Sequence, residues 1–397
     1  MTEPAILTIN TGSSSVKFSV HSVIDGEAGP RIAEGAISGL PGAPKLKMQV
    51  LGTDRSEDAA AAISAGGKSP PEMVSAIAEW LAAALDTHDI AAVGHRIVHG
   101  GRLHDGPCRA SAETLTALEA FIPLAPSHQP HNLAGVSAIS ALWPDMPQSL
   151  SFDTAFHRSQ PPIAETYALP RALTAEGIVR YGFHGLSYHH LADVLADVFD
   201  GRPHDRVIAA HLGSGASLAA LKAGRSVATS MGLTALDGLP MSTRCGDLDP
   251  GVVLHLIQDR GMSAAEVSDL LYRQSGLKGM SGISGDVRDL LSSDAPEARE
   301  ALELYAYRIA REMGSLAAAL EGPDAIIFTA GVGENAAAVR AGVCARLGWL
   351  GVDLDVSANA VHAQIISSPR SMIAVAVVPA DEEIVIARET AATCLTG

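Results

Sequence analysis

The chain has 397 residues, of which 47% are hydrophobic, so it can build packed cores and is not disordered. It carries 28 Lys and Arg against 44 Asp and Glu, and this excess of acid argues against nucleic acid and anionic membrane surfaces as partners. Its four cysteines lie far apart, which indicates free thiols. Without a basic leader or an apolar run of roughly 20 residues, we expect a cytoplasmic protein.

Residues 6–20 predict a β-hairpin. Apolar residues lead up to Asn10, a Gly-Ser-Ser-Ser turn begins at Gly12, and apolar residues then alternate with Lys17. Small residues let the main chain approach a phosphate closely and leave its N–H groups pointing outward. Lys17 adds a positive charge beside this turn. An ordinary Ser-rich β-turn is the alternative interpretation of the same stretch.

The same pattern recurs in residues 207–221, where a second apolar run reaches His211 and is followed by Gly213, Ser214 and Gly215. Two hairpins with similar turns, one in each half of the chain, predict an internal duplication. Two facing phosphate loops are what a nucleotide polyphosphate between two lobes requires. At roughly 100 to 200 residues per domain, the chain length also predicts two domains.

Between and after the hairpins, polar groups repeatedly follow short predicted strands, where open α/β sheets place their sites. A Pro-rich turn at 123–130, a long loop at 229–251 and a loop at 282–288 carry further candidates. Alternation of strands and helices predicts an α/β fold of two lobes. The candidate groups are Arg96, His128, Asp153, His184, Arg244, Asp286 and Arg288. Phosphoryl transfer needs such positioned charges more than covalent chemistry.

Two other nucleotide motifs are weighed against this interpretation. Residues 331–336 match the G-x-G-x-x-A dinucleotide fingerprint, with Asp353 about 20 residues further on, so an NAD-dependent dehydrogenase is a rival. The same strand and glycine loop would equally cradle ATP. The stretch at 66–69 ends like a Walker A loop, but Ala62 occupies its required glycine position and prolines follow it. For Glu382 the simple alternative is a solvated helix start.

Seven motifs, spread over nearly the whole chain and in the family's order, resemble those of acetate kinases. They are Asn10-Thr-Gly-Ser-Ser-Ser-Val-Lys17, Gly94-His-Arg-Ile-Val-His-Gly-Gly101, Phe152-Asp-Thr-Ala-Phe-His157, Tyr181-Gly-Phe-His-Gly185, His211-Leu-Gly-Ser-Gly215, Gly282-Ile-Ser-Gly-Asp286 and Gly331-Val-Gly-Glu-Asn335. The resemblance implies the duplicated ribonuclease H-like fold of actin, Hsp70 and sugar kinases, with two lobes around a nucleotide cleft, in a homodimer. We expect an N-terminal lobe of residues 1–150 and 381–397, and a C-terminal lobe of residues 151–380.

The resemblance also implies roles for individual residues in phosphoryl transfer from ATP to acetate. The catalytic residues are Asp153, His184 and Arg244; those binding the substrate are Arg96, Val98, His128 and Phe183; and those binding Mg²⁺ or Mn²⁺ are Asn10 and Glu382. The residues binding ATP are Lys17, His211, Leu212, Gly213, Ser214, Gly215, Asp286, Val287, Arg288, Gly331, Val332, Gly333, Glu334 and Asn335.

This chain departs from the family pattern at Ser127, Ser214, Ala235 and Ser242, where the family usually has Leu, Asn, Pro and Gly. The family associates the positions of Ser127 and Ala235 with the pocket for the acetate methyl group. Because both residues are smaller here, propionate or another short-chain carboxylate is the alternative substrate. Ser214 shortens a donor beside the phosphates. A non-catalytic actin-like nucleotide switch is the rival from another class, although it needs no second-substrate residues.

Overall fold

The computed structural model describes residues 2–13, 15–40, 45–51 and 68–396. These residues form two compact units. Unit 1 comprises Met1–Phe156 together with Asp381–Gly397, and unit 2 comprises His157–Ala380. Ser14 of the first hairpin turn, and residues 62–67 of the rejected Walker-like stretch, lie outside the described residues.

Twelve strands are present in the described part of the chain. They are β1 (Glu3–Thr11), β2 (Ser15–Ile24), β3 (Glu27–Ser38), β4 (Lys45–Val50), β5 (His88–Ile97), β6 (Cys108–Arg109), β7 (Gln148–Phe152), β8 (Arg206–Leu212), β9 (Ala216–Lys222), β10 (Arg225–Thr229), β11 (Ala325–Thr329) and β12 (Ala374–Val377).

The described residues also form fifteen α-helices. They are α1 (Pro70–Ala84), α2 (Ala112–Glu119), α3 (Gln129–Leu142), α4 (Pro162–Glu165), α5 (Arg171–Ala175), α6 (Gly185–Phe199), α7 (Pro250–Gln258), α8 (Ala264–Arg273), α9 (Gly276–Ser281), α10 (Val287–Leu291), α11 (Pro296–Ala319), α12 (Ala330–Asn335), α13 (Ala337–Cys344), α14 (Val356–Ala360) and α15 (Glu382–Thr390). Among the described residues, no helix has both the length and the apolar character needed to span a membrane.

Each unit is built around one sheet, and the two sheets share a topology. The strand order is β4-β3-β2-β1-β5-β7-β6 in unit 1 and β10-β9-β8-β11-β12 in unit 2. In both, three antiparallel strands are followed by two parallel strands that extend the sheet from the first of the three. The prediction of a duplicated α/β fold of ribonuclease H-like type is therefore confirmed.

Both predicted hairpins are present, and each is formed by the first two strands of its unit in chain order. In the first, Asn10 lies opposite Lys17, and Thr11 opposite Val16. Val16 and Phe18 are buried while Lys17 is exposed, as the alternation of residues predicts. In the second hairpin, formed by β8 and β9, His211 lies opposite Ser217.

The unit 1 sheet is covered on both faces, which explains why β1 is an almost continuous apolar run. Leu7 and Ile9 pack in the larger core with buried residues of α1, whereas Ile6 packs against Ala387 of α15. Full burial of each such side chain contributes about 1.5 to 3 kcal/mol. Helix α1 starts at a capping box formed by Ser69 with the Glu72 side chain three residues later.

One stretch predicted to be a loop is helical, and another, at 282–288, is a loop that becomes helical only at its last two residues. Residues 330–335 form α12, so the glycines at 331 and 333 lie within a helix, and the dinucleotide loop of the rival interpretation is absent from this stretch. In the loop predicted at 282–288, Gly282 ends α9 and Asp286 caps α10. Val287 and Arg288 are therefore in the first turn of a helix.

The Pro-rich turn predicted at 123–130 is only partly correct. A short 3-10 helix covers Ile122–Leu124, but Gln129 and Pro130 already belong to α3, which the sequence analysis did not identify. Proline is tolerated in the first turn of a helix because its missing N–H would have no partner there. His128 immediately precedes this helix as its N-cap residue.

Helix α15 follows unit 2 in the chain but packs against β1, β5 and β7 of unit 1. Its close approach depends on Gly94 of β5, because a Cβ atom there would overlap Thr390 Oγ1 and lie 2.7 Å from Ile386 Cγ2. Thr390 Oγ1 also lies 2.7 Å from Ser149 Oγ of β7. The contact at Gly94 therefore fixes the helix that begins with Glu382.

We expect Gly94→Ala to lower the free energy of unfolding by about 1 to 3 kcal/mol, because the added methyl group must displace α15. Urea unfolding followed by circular dichroism measures the change. Gly106→Ala is the matched control, since no described atom would lie within 4 Å of the added methyl group. A Gly94→Ala variant as stable as this control would contradict the packing described here.

Candidate functional site

In unit 1, the Arg96 side chain joins three of the predicted site residues. Its Nε donates to Asp153 Oδ1 at 2.8 Å and its Nη2 donates to Asp153 Oδ2 at 2.6 Å. Its Nη1 donates to Asn10 Oδ1 at 3.2 Å, and its Nε lies 4.0 Å from Glu382 Oε2. Arg96, predicted to bind the substrate carboxylate, thus forms a bidentate ion pair with Asp153, predicted to be catalytic.

Parallel pairing explains why these residues meet. Strands β1, β5 and β7 run in the same direction, so their carboxyl ends lie at one edge of the sheet. Asn10 is near the end of β1, Arg96 is near the end of β5, and Asp153 directly follows β7. The first turn of α15 adds Glu382, whose side chain is 16% exposed, so the solvated helix start considered above is excluded.

The charges of this group perturb one another. Burial alone would lower the pKa of Arg96, but the negative charges of Asp153 and Glu382 outweigh it and raise that pKa. Burial raises the pKa of Glu382, against the opposing effect of the Arg96 charge. Burial also raises the pKa of Glu383, and the charge of Glu382 adds to this effect. Two carboxylates, those of Asp153 and Glu382, thus lie beside one guanidinium group, which leaves an excess of negative charge there when both are ionised.

Asn10 and Glu382 offer the hard oxygen ligands that Mg²⁺ prefers, and both lie beside the same guanidinium group. No cluster of three or more His, Cys, Asp or Glu side chains that could hold a metal is found among the described residues. Mg²⁺ in phosphate-transferring sites commonly takes only one or two carboxylates and completes its shell with water and phosphate oxygens. The residues present, with their excess negative charge, fit such a cation.

Two buried amides of α3 hold the loop that follows Arg96, and sequence reasoning missed both. Asn132 Oδ1 accepts from the Val98 backbone N–H at 3.0 Å, and its Nδ2 donates to the carbonyl of Thr11 at 2.6 Å. Gln129 accepts from the His99 backbone N–H and donates to the same residue's carbonyl. Polar residues in the buried face of an otherwise apolar helix were the available signal.

The other two predicted substrate-binding residues of unit 1 are Val98 and His128. Val98 is buried, and His128 is partly buried at the start of α3. Burial lowers the pKa of His95 to about 4 and that of His99 to about 4, so both rings are neutral near pH 7. His95 is bonded to Gln148 at 2.8 Å, as expected for a structural histidine.

In unit 2, two imidazole rings stack beside the second hairpin turn. The His184 and His211 ring centroids are 4.1 Å apart with an interplanar angle of 13°. Nδ1 of His184 lies 2.8 Å from Ser217 Oγ, and Nδ1 of His211 lies 2.9 Å from Ser187 Oγ. His184 has a left-handed backbone with φ of 59°, which non-glycine residues adopt at a cost and mainly at functional sites.

Arg244 approaches the same turn. A Cβ atom on Gly215 would lie 3.3 Å from His184 Nε2 and 3.8 Å from Arg244 Nη1, so both side chains border this glycine. Nη1 of Arg244 donates to the Ala235 carbonyl at 3.0 Å and contacts Met241 Sδ at 3.5 Å. Burial lowers its pKa, yet no described carboxylate forms an ion pair with it. Arg244 is thus a partly buried cation without an acidic partner in the described chain.

A cavity of about 470 Å³ lies in unit 2 beside these groups, and most of the residues predicted to bind the nucleotide line it. Its lining includes Gly213, Ser214, Asp286, Val287, Arg288, Gly331, Val332 and Asn335. Sequence reasoning missed four further lining residues, which are Ser242, Gly285, Leu291 and Ala336.

Several predicted residues stand outside this lining. Leu212 is fully buried. Gly333 packs on the Phe328 backbone, and the Glu334 side chain accepts from the Ala380 N–H at 3.0 Å. Phe183 is also buried, with its carbonyl 3.0 Å from His157 Nε2. These positions support the walls of the cavity or the strands below it.

The chain resembles known proteins over almost its whole length. Residues 5–388 match the profile described as "Acetokinase family". The chain belongs to this family. It is 49% identical over 387 residues to the acetate kinase of Rhodopseudomonas palustris (strain ATCC BAA-98 / CGA009), with 96% of each chain covered. It is 39% identical over 387 residues to the acetate kinase of Rickettsia akari (strain Hartford), covering 97% of this chain and 98% of the relative.

Solved structures of the acetokinase family have the same fold. The crystal structure of Porphyromonas gingivalis acetate kinase matches with a TM-score of 0.82 and 36% identity, covering 99% of this chain and 100% of that one. A propionate kinase from Francisella tularensis matches with a TM-score of 0.86 and 32% identity, with the same coverage. The resemblance inferred from the seven motifs is confirmed.

For this acetokinase-family chain, we expect Glu382→Gln to raise thermal stability at neutral and alkaline pH. The pKa of Glu382 is raised above its ordinary value of 4.5, so the folded state binds this proton more tightly than the unfolded state. Stability is therefore lost as pH rises above that ordinary value, and the ionised side chain weakens the folded state at pH 8.

Melting temperatures of wild type and variant at pH 5 and pH 8 measure this effect. The gain from Glu382→Gln is larger at pH 8 than at pH 5. Glu79→Gln on the exposed face of α1 removes the same formal charge and serves as the control. A Glu382→Gln variant that melts below wild type at pH 8 would rule out the burial effect.

Proposed function

We propose that the chain is an ATP-dependent acetate kinase, which reversibly converts ATP and acetate into ADP and acetyl phosphate. Whole-chain similarity to acetate kinases carries this proposal, since 96% of the chain aligns with a relative of that name. An acetate oxygen attacks the γ-phosphorus, and the bond between that phosphorus and the β–γ bridging oxygen breaks. The bridging oxygen leaves with ADP, so no proton has to be removed from the nucleophile.

Arg96 binds the acetate carboxylate in this proposal. A guanidinium group has five N–H donors. Asp153 takes two of them and Asn10 one, so one N–H on each of Nη1 and Nη2 is left along the outer edge. A carboxylate fits this edge with two parallel hydrogen bonds. Val98 follows Arg96 closely in the chain, and His128 precedes Gln129, whose side chain bonds the backbone of His99.

Asp153 acts as an orienter of Arg96 rather than as a base. Both of its oxygens accept hydrogen bonds from the guanidinium group, and the side chain is 1% exposed. The nucleophile is already a carboxylate, which has no proton to give. Asp153 therefore fixes the direction of the outer guanidinium edge on which the acid is bound.

In this proposal the glycine turn of the second hairpin, in unit 2, binds phosphate groups of ATP. Arg244 and His184 stabilise the charge on the transferred phosphoryl group, where preorganised donors commonly contribute most to the rate. The partly buried Arg244 lacks an acidic partner among the described residues, so an incoming phosphoryl group supplies the missing negative charge. Lys17 adds a further positive charge, and the 470 Å³ cavity receives the nucleoside part of ATP.

Asn10 and Glu382 would hold Mg²⁺ or Mn²⁺, which when bound neutralises charge on the polyphosphate. Without the ion, the excess acid beside Arg96 repels that polyphosphate. The carboxylate of Glu382 balances this cation, although its burial costs stability.

Propionate is the second acid that we expect the protein to use. The side chains at Ser127 and Ala235 are small, and a relative named as a propionate kinase shares the fold. One methylene group in an apolar pocket changes discrimination by only about 1 to 3 kcal/mol. Acetate and propionate are therefore expected to differ modestly in kcat/KM, with butyrate the poorest of the three.

Hydroxamate trapping of the acyl phosphate tests the function directly, with ATP, Mg²⁺ and acetate, propionate or butyrate as substrates. We expect Arg96→Ala to raise the KM for acetate about 10- to 100-fold, because charged hydrogen bonds to the carboxylate are lost. We expect Arg244→Ala to lower kcat about 100- to 1,000-fold, as removal of a transition-state donor does.

Arg273→Ala is the control in this experiment, since that arginine is exposed on α8 and pairs only with Asp269. Absence of hydroxamate with wild type and all three acids would disprove the proposed function. Wild-type kinetics in both Arg96→Ala and Arg244→Ala would disprove the residue assignment alone.

We also propose that the protein is a cytoplasmic homodimer. Helix α7 has a strongly apolar sequence, yet none of its residues is buried in the described chain. Val252, Leu254 and Ile257 are 38%, 53% and 38% exposed. Large apolar side chains exposed together on one helix indicate an interaction site, and a second copy of the chain covers them in this proposal.

Leu254→Glu is expected to shift the protein from dimer to monomer, because the charge would be buried without a partner in the interface. Light scattering after size-exclusion chromatography measures the mass. The exposed Leu103→Glu, in unit 1, introduces the same charge away from α7. A Leu254→Glu variant that keeps the wild-type dimer mass would place the interface elsewhere.

A further inference from the structure

Arg340 of α13 is a fully buried cation, and every N–H of its guanidinium group has an acceptor. Nε donates to Asn359 Oδ1 at 2.8 Å, and Nη2 donates to the Asn359 carbonyl at 2.8 Å and to His362 Nδ1 at 3.0 Å. Nη1 donates to the carbonyls of Gly333 and Glu334, both at 2.8 Å. The relative exposure of Arg340 is 0%.

All five acceptors are neutral in this arrangement. No described carboxylate pairs with Arg340, and burial lowers its pKa. Burying a charge without an opposite charge is costly, and the cost is tolerated only where hydrogen bonds replace the lost water. A lysine at this position offers three donors from one point and cannot match a planar set of five acceptors. The arrangement is therefore specific to arginine.

Two of these acceptors belong to the helix that lines the nucleotide cavity. The carbonyls of Gly333 and Glu334 lie in the last turn of α12, where helix carbonyls lack partners within the helix and carry partial negative charge. Both ends of α12 line the cavity, with Gly331 and Val332 at its start and Asn335 at its end. The guanidinium group thus holds the last turn of a short helix that forms part of the cavity wall.

The start of this helix is strained. Ala330 has φ of 64°, in the left-handed region that side chains with a Cβ atom disfavour. Its side chain is buried, and it follows β11 directly. Strained backbone persists only when surrounding contacts determine it. At the opposite end of α12, Arg340 donates hydrogen bonds to two backbone carbonyls, those of Gly333 and Glu334.

We propose that Arg340 is a positioning residue for nucleotide binding, which with Asn359 and His362 holds α12 in the strained position that shapes the cavity wall. This inference rests on the proposed function, because it takes the cavity to be the ATP and ADP site. Arg340 does not touch the nucleotide. Its effect reaches the nucleotide through the backbone of α12, so nucleotide affinity depends on Arg340 while the affinity for the carboxylic acid does not.

Arg340→Lys tests this inference, with ADP binding measured by calorimetry on the full chain and with the KM for acetate measured beside it. We expect the Kd for ADP to rise about tenfold, because buried carbonyls lose their donors. The KM for acetate stays within about twofold of wild type. Arg206→Lys is the matched control, since Arg206 also binds a carbonyl and an ion-pair partner in unit 2 but lies away from the cavity lining.

A milder change guards against a variant that fails to fold. His362 is exposed and has φ of 53°, in the left-handed region. His362→Gly removes one acceptor of Arg340, and glycine adopts this left-handed conformation without strain. We expect faster backbone hydrogen exchange in residues 330–336 and a Kd for ADP about two- to threefold higher.

Ala330→Gly provides the complementary change, because glycine adopts the left-handed conformation freely. In the Arg340→Lys background it is expected to restore a large part of the ADP affinity, since a relaxed helix needs less restraint. In the wild-type background the same substitution changes the Kd for ADP by less than about twofold.

An unchanged Kd for ADP in both Arg340→Lys and His362→Gly would overturn the inference. So would a parallel loss of ADP and acetate affinity, which is the signature of general destabilisation. Selective loss of ADP affinity supports it, as does local exchange confined to 330–336. If wild type neither binds ADP nor forms acyl phosphate, the proposed function fails instead, so the two failures are distinguishable.

Discussion

Both units depend on one constraint. A guanidinium group that is removed from water needs other hydrogen-bond partners for its N–H donors. Arg340 meets it with five neutral acceptors, and Arg96 meets it largely with the carboxylate of Asp153. Arg244 has the fewest partners of the three, because within the described part of the chain its Nη1 bonds to a carbonyl and a thioether sulfur and no carboxylate pairs with it. Arg340 has a partner for every N–H donor, whereas Arg244 has no described acidic partner. Arg244 is therefore the one suited to bind a substrate with negative charge.

The duplicated topology supplies two equivalent sheet edges with different chemistry. In unit 1 the carboxyl ends of β1, β5 and β7 carry an amide, a guanidinium group and a carboxylate. In unit 2 the corresponding region carries stacked imidazoles, a glycine turn and the short helix α12. The sheets need only the apolar alternation that both halves share. The two edges are therefore free to carry different functional groups on the same framework.

Much of this arrangement could be predicted from sequence, because hairpins and buried strands have a local signal. The alternation from Val16 to Val20 and the repeated glycine turns were sufficient to predict both hairpins and the duplication. Helix α12 was missed since two glycines in six residues are typical of a loop, and its hydrogen bonds with Arg340 are tertiary contacts without a local sequence signal. Helix α3 was missed because the prolines before it and in its first turn are typical of a turn.

The pairing of Arg96 with Asp153 was beyond sequence reasoning for a different reason. It depends on the register of three parallel strands, and residues 57 positions apart carry no local sign of contact. The motifs identified both residues as site candidates but assigned them separate roles. The buried amides Gln129 and Asn132 were missed in the same way, because their partners are backbone groups of other elements.

Helix α15 also has a consequence for biosynthesis. It belongs to unit 1, although the ribosome makes it only after all of unit 2. Chain elongation proceeds at about 5 to 20 residues per second, so roughly ten seconds or more pass between synthesis of the unit 1 sheet and synthesis of α15. During this time α15 does not cover the sheet face that includes Ile6 and Gly94. Unit 2 is continuous in sequence and is free to fold during this interval. A nascent chain thus acquires its Glu382 carboxylate last, and a prematurely terminated product lacks it altogether.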